Sequence, residues 1–462
     1  MNRAGLARLM AMVLAGGVLL GSGPGRAAGW PLRPGDLTVQ PRAEATAAAR
    51  AQQRQQQVNL IQPERYDLRR YPLVESQETH WRQTLWATAV LEPQEPHVAA
   101  ALATLVGYAV DPGLEASQQR SVQMALQVGT QLYVSNPAFF AELGDRFRQV
   151  AAASPQPDWA AMALAALARG GEAPAALQAQ MAAVRSRFGR LSSPRLDITL
   201  YDLETRLQEP PLPPLGELLT WQVAPDQAHL YILCRPDRSI LCRAVLKDRQ
   251  GRFLRQSSAP GAPLWSVPLL SRTLHHGLGW NFIRGESPQG IYRIEGTMPR
   301  SEPTYFRAYG QFPLVKVFMP YEAGTTEFIP GQRGRFTPTP EGYRALLPPR
   351  WRDYFPMQQT YLAGRLGRSM IRIHGSGEPP TFFANNARFP ESYGWNPTIG
   401  CFSAVELYDD AGRLQQADMP QILTALHGAG GNSIEGYLVV VEVPGSEQPL
   451  TASEIEALLG PG

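Results

Sequence analysis

Six residues divide this chain into two patterns. Glu209-Pro210-Pro211-Leu212-Pro213-Pro214 carries four prolines. Each proline fixes φ and has no amide hydrogen, so neither a helix nor a sheet ladder can run through the stretch. Before it, apolar residues recur three and four apart; after it, they alternate or gather in short β-branched runs. Residues 209–216 therefore read as a stiff linker between an all-α part and a mostly-β part. A length of 462 residues leaves room for two or three domains with proper cores.

The helical part is expected over 76–208. Val98, Leu102, Leu105 and Ala109 form one stripe, and Val122, Leu126 and Tyr133 continue it. Ser135-Asn136-Pro137 reads as a capped helix start leading into Phe140, Leu143, Phe147 and Val150. Trp159–Arg169 closes at Gly170-Gly171, and Leu177, Met181, Val184 and Phe188 mark one more helix. Short breaks imply antiparallel neighbours, hence a bundle or short solenoid. Residues 29–75, rich in Ala, Gln and Arg, are either a solvated helix or a disordered leader. Residues 1–28 read as a signal peptide: a basic start, an apolar run Leu9–Leu20, and small residues at Gly25-Arg26-Ala27-Ala28. Export to the periplasm or cell envelope is expected, with no stable membrane span after cleavage.

Beyond the linker, Leu218–Val223, Leu230–Cys234, Ile240–Leu246, Ile291–Ile294, Leu314–Met319 and Gly436–Val443 read as strands of one domain over 217–447. An aromatic-rich insertion at 321–362 has the length of a lid. Asp418–Ala425 reads as a short helix. Thr451-Ala452-Ser453-Glu454 is a capping box opening a helix within a C-terminal tail, 448–462. Cys234 and Cys242 flank a Pro-Asp turn and can face each other as a disulfide, which leaves Cys401 as the odd thiol; the alternative is three reduced, buried cysteines.

Ile371-Arg372-Ile373 reads as a buried strand presenting His374 at its end, and Gly400 permits a tight turn at Cys401. A thiol attacks as thiolate, and a nearby histidine is the usual activator. The N–H groups of Ile399, Gly400 and Cys401 could then face a developing oxyanion. On spacing alone, a structural cysteine and a surface histidine remain the plainer account. His275-His276 has no metal-ligand spacing and reads as a solvated loop, and His427 sits at a helix end. No metal, cofactor or nucleic-acid partner is expected; a net charge of +3 is small for the length.

The pattern His374-Gly375, then Thr398-Ile399-Gly400-Cys401-Phe402, resembles the active-site signature of the L,D-transpeptidase (YkuD-like) family. Ser287-Pro288-Gln289-Gly290-Ile291-Tyr292 resembles the turn and strand that precede that site, in the same order along the chain. The resemblance covers about half the chain and implies a mostly-β catalytic domain acting on peptidoglycan stem peptides in cell-wall crosslinking. By motif position Cys401 would be the nucleophile and His374 the general base and later acid. The Gly375 carbonyl would orient the ring, and Thr398 would support the loop. Three departures stand out. Ile399 replaces the usual histidine, Ser403 replaces Arg or Asn, and 27 positions separate base from nucleophile. Arg372 or Arg388 is then the candidate for substrate-carboxylate recognition, with Tyr393 and Trp395 as groove walls. An L,D-carboxypeptidase and a wall-binding scaffold with weak chemistry are the alternatives. The helical domain would position the enzyme or bind a protein partner.

Overall fold

The structure, a computed structural model, describes residues 41–299, 310–337, 339–376, 383 and 389–459. The expected signal segment and Arg388 lie outside these. Helices α1 (Ala47–Leu60), α2 (Glu78–Leu91), α3 (Pro96–Gly107), α4 (Ala116–Ser135), α5 (Ala141–Ala153), α6 (Pro157–Arg169), α7 (Pro174–Phe188) and α8 (Pro194–Gln208) form the N-terminal region. Proline at the first turn of α3, α6, α7 and α8 removes an amide that would have no partner there. Trp81, Leu102, Leu126, Phe147 and Leu164 meet in one core. Within the Ala/Gln/Arg-rich stretch, Ala47–Leu60 is helical. Asn136-Pro137 turns out to be a break: α4 runs through Ser135 and α5 begins only at Ala141, with Asn136 Oδ1 holding the Phe139 amide at 3.2 Å.

The chain after the linker is mostly β, wrapped into a nearly closed sheet. Its strands are β1 (Ala228–Cys234), β2 (Cys242–Lys247), β3 (Ser266–Leu269), β4 (Gly290–Met298), β5 (Leu314–Phe318), β6 (Arg372–Gly375), β7 (Phe402–Ala404) and, after the hairpin of β8 (Glu406–Tyr408) and β9 (Leu414–Ala417), β10 (Glu435–Glu442). The eight-stranded order is β3-β2-β1-β10-β4-β5-β6-β7. The two ends meet where Leu270, just past β3, exchanges both backbone hydrogen bonds with Ser403 of β7, each at 2.9 Å. Cys234 and Cys242 are disulfide-bonded across the β1–β2 turn, and Cys401 is free and buried. Residues 218–223, expected as a strand, form none: 218–220 belong to a short helix α9 (Leu215–Thr220), and the chain leaves it at Trp221. Leu215, Leu218 and Leu219 are buried at helical spacing there.

Alternation along the strands separates two cores. Leu230, Ile232, Tyr292, Val315, Ile373, Phe402, Leu438 and Val440 point inward. Tyr231, Leu233, Ile291, Tyr437 and Val439 point outward. The insertion covers that outer core: Tyr343, Trp351, Met357 and Tyr361 are buried in it, around α10 (Pro340–Arg344) and α11 (Gln359–Arg365). These aromatics are packing residues and not the surface of a lid. Helices α12 (Met419–Ala429) and α13 (Ala452–Leu458) complete the region, and the Thr451–Glu454 capping box is formed.

The two regions share a core. Leu274, Leu278 and Phe282, from the segment after β3, pack with the helices. His275 in that segment is fully buried, not solvated as its sequence setting suggested, and Asn281 bonds Thr199 Oγ1 at 2.7 Å. The reason is the neighbouring leucines, which draw the segment under α4 and α8. Among the described residues no helix is long and apolar enough to cross a membrane.

Candidate active site

Strands β6 and β7 are parallel, with Ile373 level with Phe402 and His374 level with Ser403. Cys401 stands one residue before this ladder, level with Arg372. Because side chains alternate, Arg372, His374, Cys401 and Ser403 share the outer face while Ile373 and Phe402 enter the core. His374 and Cys401 are thus diagonal neighbours on adjoining strands, a separation of roughly 7–8 Å between backbone positions.

His374 Nδ1–H donates to the Gly375 carbonyl at 2.8 Å, which leaves Nε2 as the basic nitrogen. A Cβ at Gly375 would lie 2.0 Å from Glu406 Oε2, so any side chain there would require the Glu406 carboxylate to move. Burial lowers the His374 pKa to about 4, opposed in part by the Gly375 carbonyl. The thiol is turned toward β6: Sγ lies 3.7 Å from the Met370 carbonyl, and the Arg372 backbone N–H favours its charged form. Burial pushes its pKa up, against that N–H and the charges of Arg372 and Arg368. The resting pair is therefore thiol and neutral imidazole, not the thiolate–imidazolium pair that a simple activation scheme would have.

The nucleophile loop is bonded throughout. Thr398 Oγ1 donates to the Cys401 carbonyl at 2.8 Å and accepts from the Gly400 N–H at 3.1 Å. Leu274 N–H reaches the Thr398 carbonyl, and Thr398 N–H reaches the Arg272 carbonyl at 3.1 Å. The Gly400 N–H is consequently engaged, which corrects its assignment as an oxyanion donor; Ile399 and Cys401 remain. Gly400 has φ +122°, and a Cβ there would stand 2.6 Å from Arg368 Nη2. Ser287 Oγ donates to the Gly400 carbonyl at 2.9 Å, so the upstream Ser-Pro turn abuts the loop.

Arg368 was not singled out from the sequence. Its guanidinium is buried behind Gly400 and donates to the carbonyls of Trp280, Gly285 and Glu286. Burial brings its pKa down to about 10, so it stays cationic at neutral pH beside the thiol. An arginine after a glycine at a helix end carries no sequence signal of this kind. Glu322, also missed, accepts the amides of Met319 and Met370 at 3.1 and 2.8 Å and lies 3.7 Å from Arg372. Through these bonds the start of the insertion fixes the Met370 carbonyl that faces Sγ.

Arg372 is not placed to receive a substrate carboxylate, because its Nη1 is bonded to the carbonyls of Val317 and Ile371 at 3.1 and 2.6 Å. Ser403 is fully buried and bonded to Ser376 Oγ at 2.6 Å. Tyr393 and Ile399 are exposed, Trp395 is half-buried, and Phe383 packs with the helices. No group of side chains able to hold a metal ion occurs among the described residues. No family model, curated protein or solved structure matches the chain.

Proposed function

We propose that the protein is an exported cysteine L,D-transpeptidase acting on peptidoglycan stem peptides, with Cys401 as nucleophile and His374 as base. The observation that carries this reading is the Ser287–Gly400 hydrogen bond. It joins the Ser-Pro turn to the Thr-x-Gly-Cys loop across 113 positions of sequence. Two motifs that resemble one family signature therefore build one place. The Cys234–Cys242 disulfide is consistent with an oxidising compartment.

In this mechanism Sγ turns from the Met370 carbonyl toward His374, whose Nε2 takes the thiol proton as sulfur attacks the stem-peptide carbonyl. The N–H groups of Ile399 and Cys401 stabilise the oxyanion, and buried Arg368 adds a fixed positive charge behind the loop. Collapse expels the terminal D-alanine, whose amine receives the proton from His374. An acceptor amine then attacks the thioester, loses its proton to His374, and releases Cys401. Water as acceptor gives a carboxypeptidase.

The second reading is a wall-binding scaffold with weak chemistry. It is favoured by the raised thiol pKa and by the engaged Gly400 N–H. Incubation with tetrapeptide stems separates the readings: D-alanine release that disappears in Cys401→Ala supports the enzyme. Binding to sacculi without release supports the scaffold.

A further inference from the structure

The arginines buried in the β-rich region differ in how fully the fold satisfies them. Arg368 binds three carbonyls, and Arg235 binds those of Gln448, Val443 and Pro444. Arg238 grips Glu442 with two nitrogens, at 3.0 and 2.8 Å. Arg272 is among the least satisfied. It is 1% exposed, yet its side chain makes one hydrogen bond among the described residues, from Nη1 to Ser239 Oγ at 2.5 Å. Its Nη2 has no acceptor; the nearest carboxylate oxygen, Glu92 Oε1, is 3.5 Å away and already accepts from Gln131 at 2.6 Å. A guanidinium has five N–H donors, and buried donors in a native fold normally find partners.

Arg272 lines an open cleft of about 330 Å³ between the helical region and the sheet. Ser135, from the end of α4, and His276 also line it, and Ser135 Oγ and His276 Nδ1 lack hydrogen-bond partners among the described residues as well. Asp237 and Ser239 border it from the β1–β2 turn, while Val134, Phe389 and Pro390 add apolar wall. The volume is at the small end for ligand pockets, the size of an amino acid or dipeptide. Arg272 and Asp237, facing a partly apolar wall, complement the two charged ends of a zwitterion. A phosphate dianion would leave Asp237 with no cationic partner.

We propose that this cleft binds an α-amino carboxylate, either a free amino acid or a dipeptide. The carboxylate lies toward Arg272 and His276, the ammonium toward Asp237, and the side chain against Phe389 and Val134. The assignment is independent of the chemistry at Cys401. The occupant bridges α4 and the sheet, so it should stabilise the joined regions. It also sits beside the Arg272 carbonyl that holds Thr398.

The test is calorimetric titration and thermal melting of the full chain with alanine and alanyl-alanine of either hand, propionate, ethylamine and inorganic phosphate. An alanine or alanyl-alanine should bind and raise the melting temperature. Propionate and ethylamine should bind about tenfold more weakly, each lacking one charged contact. Asp237→Asn keeps the acceptor for the Ser239 amide, and Ser135→Leu fills the cleft without touching the Arg272–Glu92 pair. Each should weaken binding about tenfold or more. The proposal is overturned if no amino acid or dipeptide binds, if phosphate binds as tightly, or if affinity survives both substitutions.

Discussion

The loop carrying Cys401 and the cleft around Arg272 are linked through Thr398, yet they treat polar groups in opposite ways. In the loop, Thr398 bonds at both ends, Ser287 holds Gly400, and Arg368 meets three carbonyls. In the cleft, Arg272 Nη2, Ser135 Oγ and His276 Nδ1 have no hydrogen-bond partner among the described residues. The first arrangement fixes a backbone shape before any substrate arrives, as catalysis by positioned groups requires. The second leaves hydrogen-bonding capacity unmet, which a ligand can use.

Acid should expose the buried histidines first, His374 of the Cys401 site among them. Burial holds His229 and His275 at about 3 and His374 at about 4, against 6.5 for a free imidazole. Their folded pKa values are depressed, so their contribution is fully present above about 6.5. It is lost as pH falls toward 3–4, by about 1.4 kcal/mol per pH unit for each group. Urea unfolding between pH 7 and 5 should show this slope, and His275→Phe should reduce it by one proton. A flat profile would mean that these rings are not buried.

Lysine substitution sharpens the comparison of the two arginines. A single ammonium cannot reach the three carbonyls that Arg368 holds, so Arg368→Lys should cost about 1–3 kcal/mol. Arg272→Lys, which forfeits one hydrogen bond and keeps the charge near Glu92, should cost less than about 1 kcal/mol. Chemical denaturation of both variants checks the order. Equal costs would erase the distinction between a satisfied and an unsatisfied cation.

The smallest effect is expected at Ile399, whose side chain is 46% exposed and whose proposed part is its N–H alone. Ile399→His should shift stability by less than about 0.5 kcal/mol. It should also change acyl-transfer rate only modestly. A large gain would show that a ring at this position joins proton transfer.

Much of this architecture is legible in the residues. The linker marks the change of pattern, and alternation at 230–234 and 436–443 puts Leu230, Ile232, Leu438 and Val440 on one face. Leu215, Leu218 and Leu219 show the limit: a short apolar run after prolines fits a strand or one helical turn, and packing decides. The candidate site was legible as a proposal where residue type carries chemistry, at His374, Thr398 and Cys401. It was opaque where function comes from tertiary approach. Nothing near Arg368 or Glu322 in sequence tells of Gly400 or Met370. The burial that raises the thiol pKa and lowers that of His374 is likewise a property of the closed sheet.

The most direct test of Cys401 as nucleophile is intact-mass spectrometry after exposure to a carbapenem, which resembles the acylated stem peptide. The account predicts one covalent adduct per chain, absent in Cys401→Ala. In His374→Ala it should form about 10²–10⁴-fold more slowly, the range that a general base contributes. A wild-type chain that stays unmodified while binding peptidoglycan sacculi would contradict it.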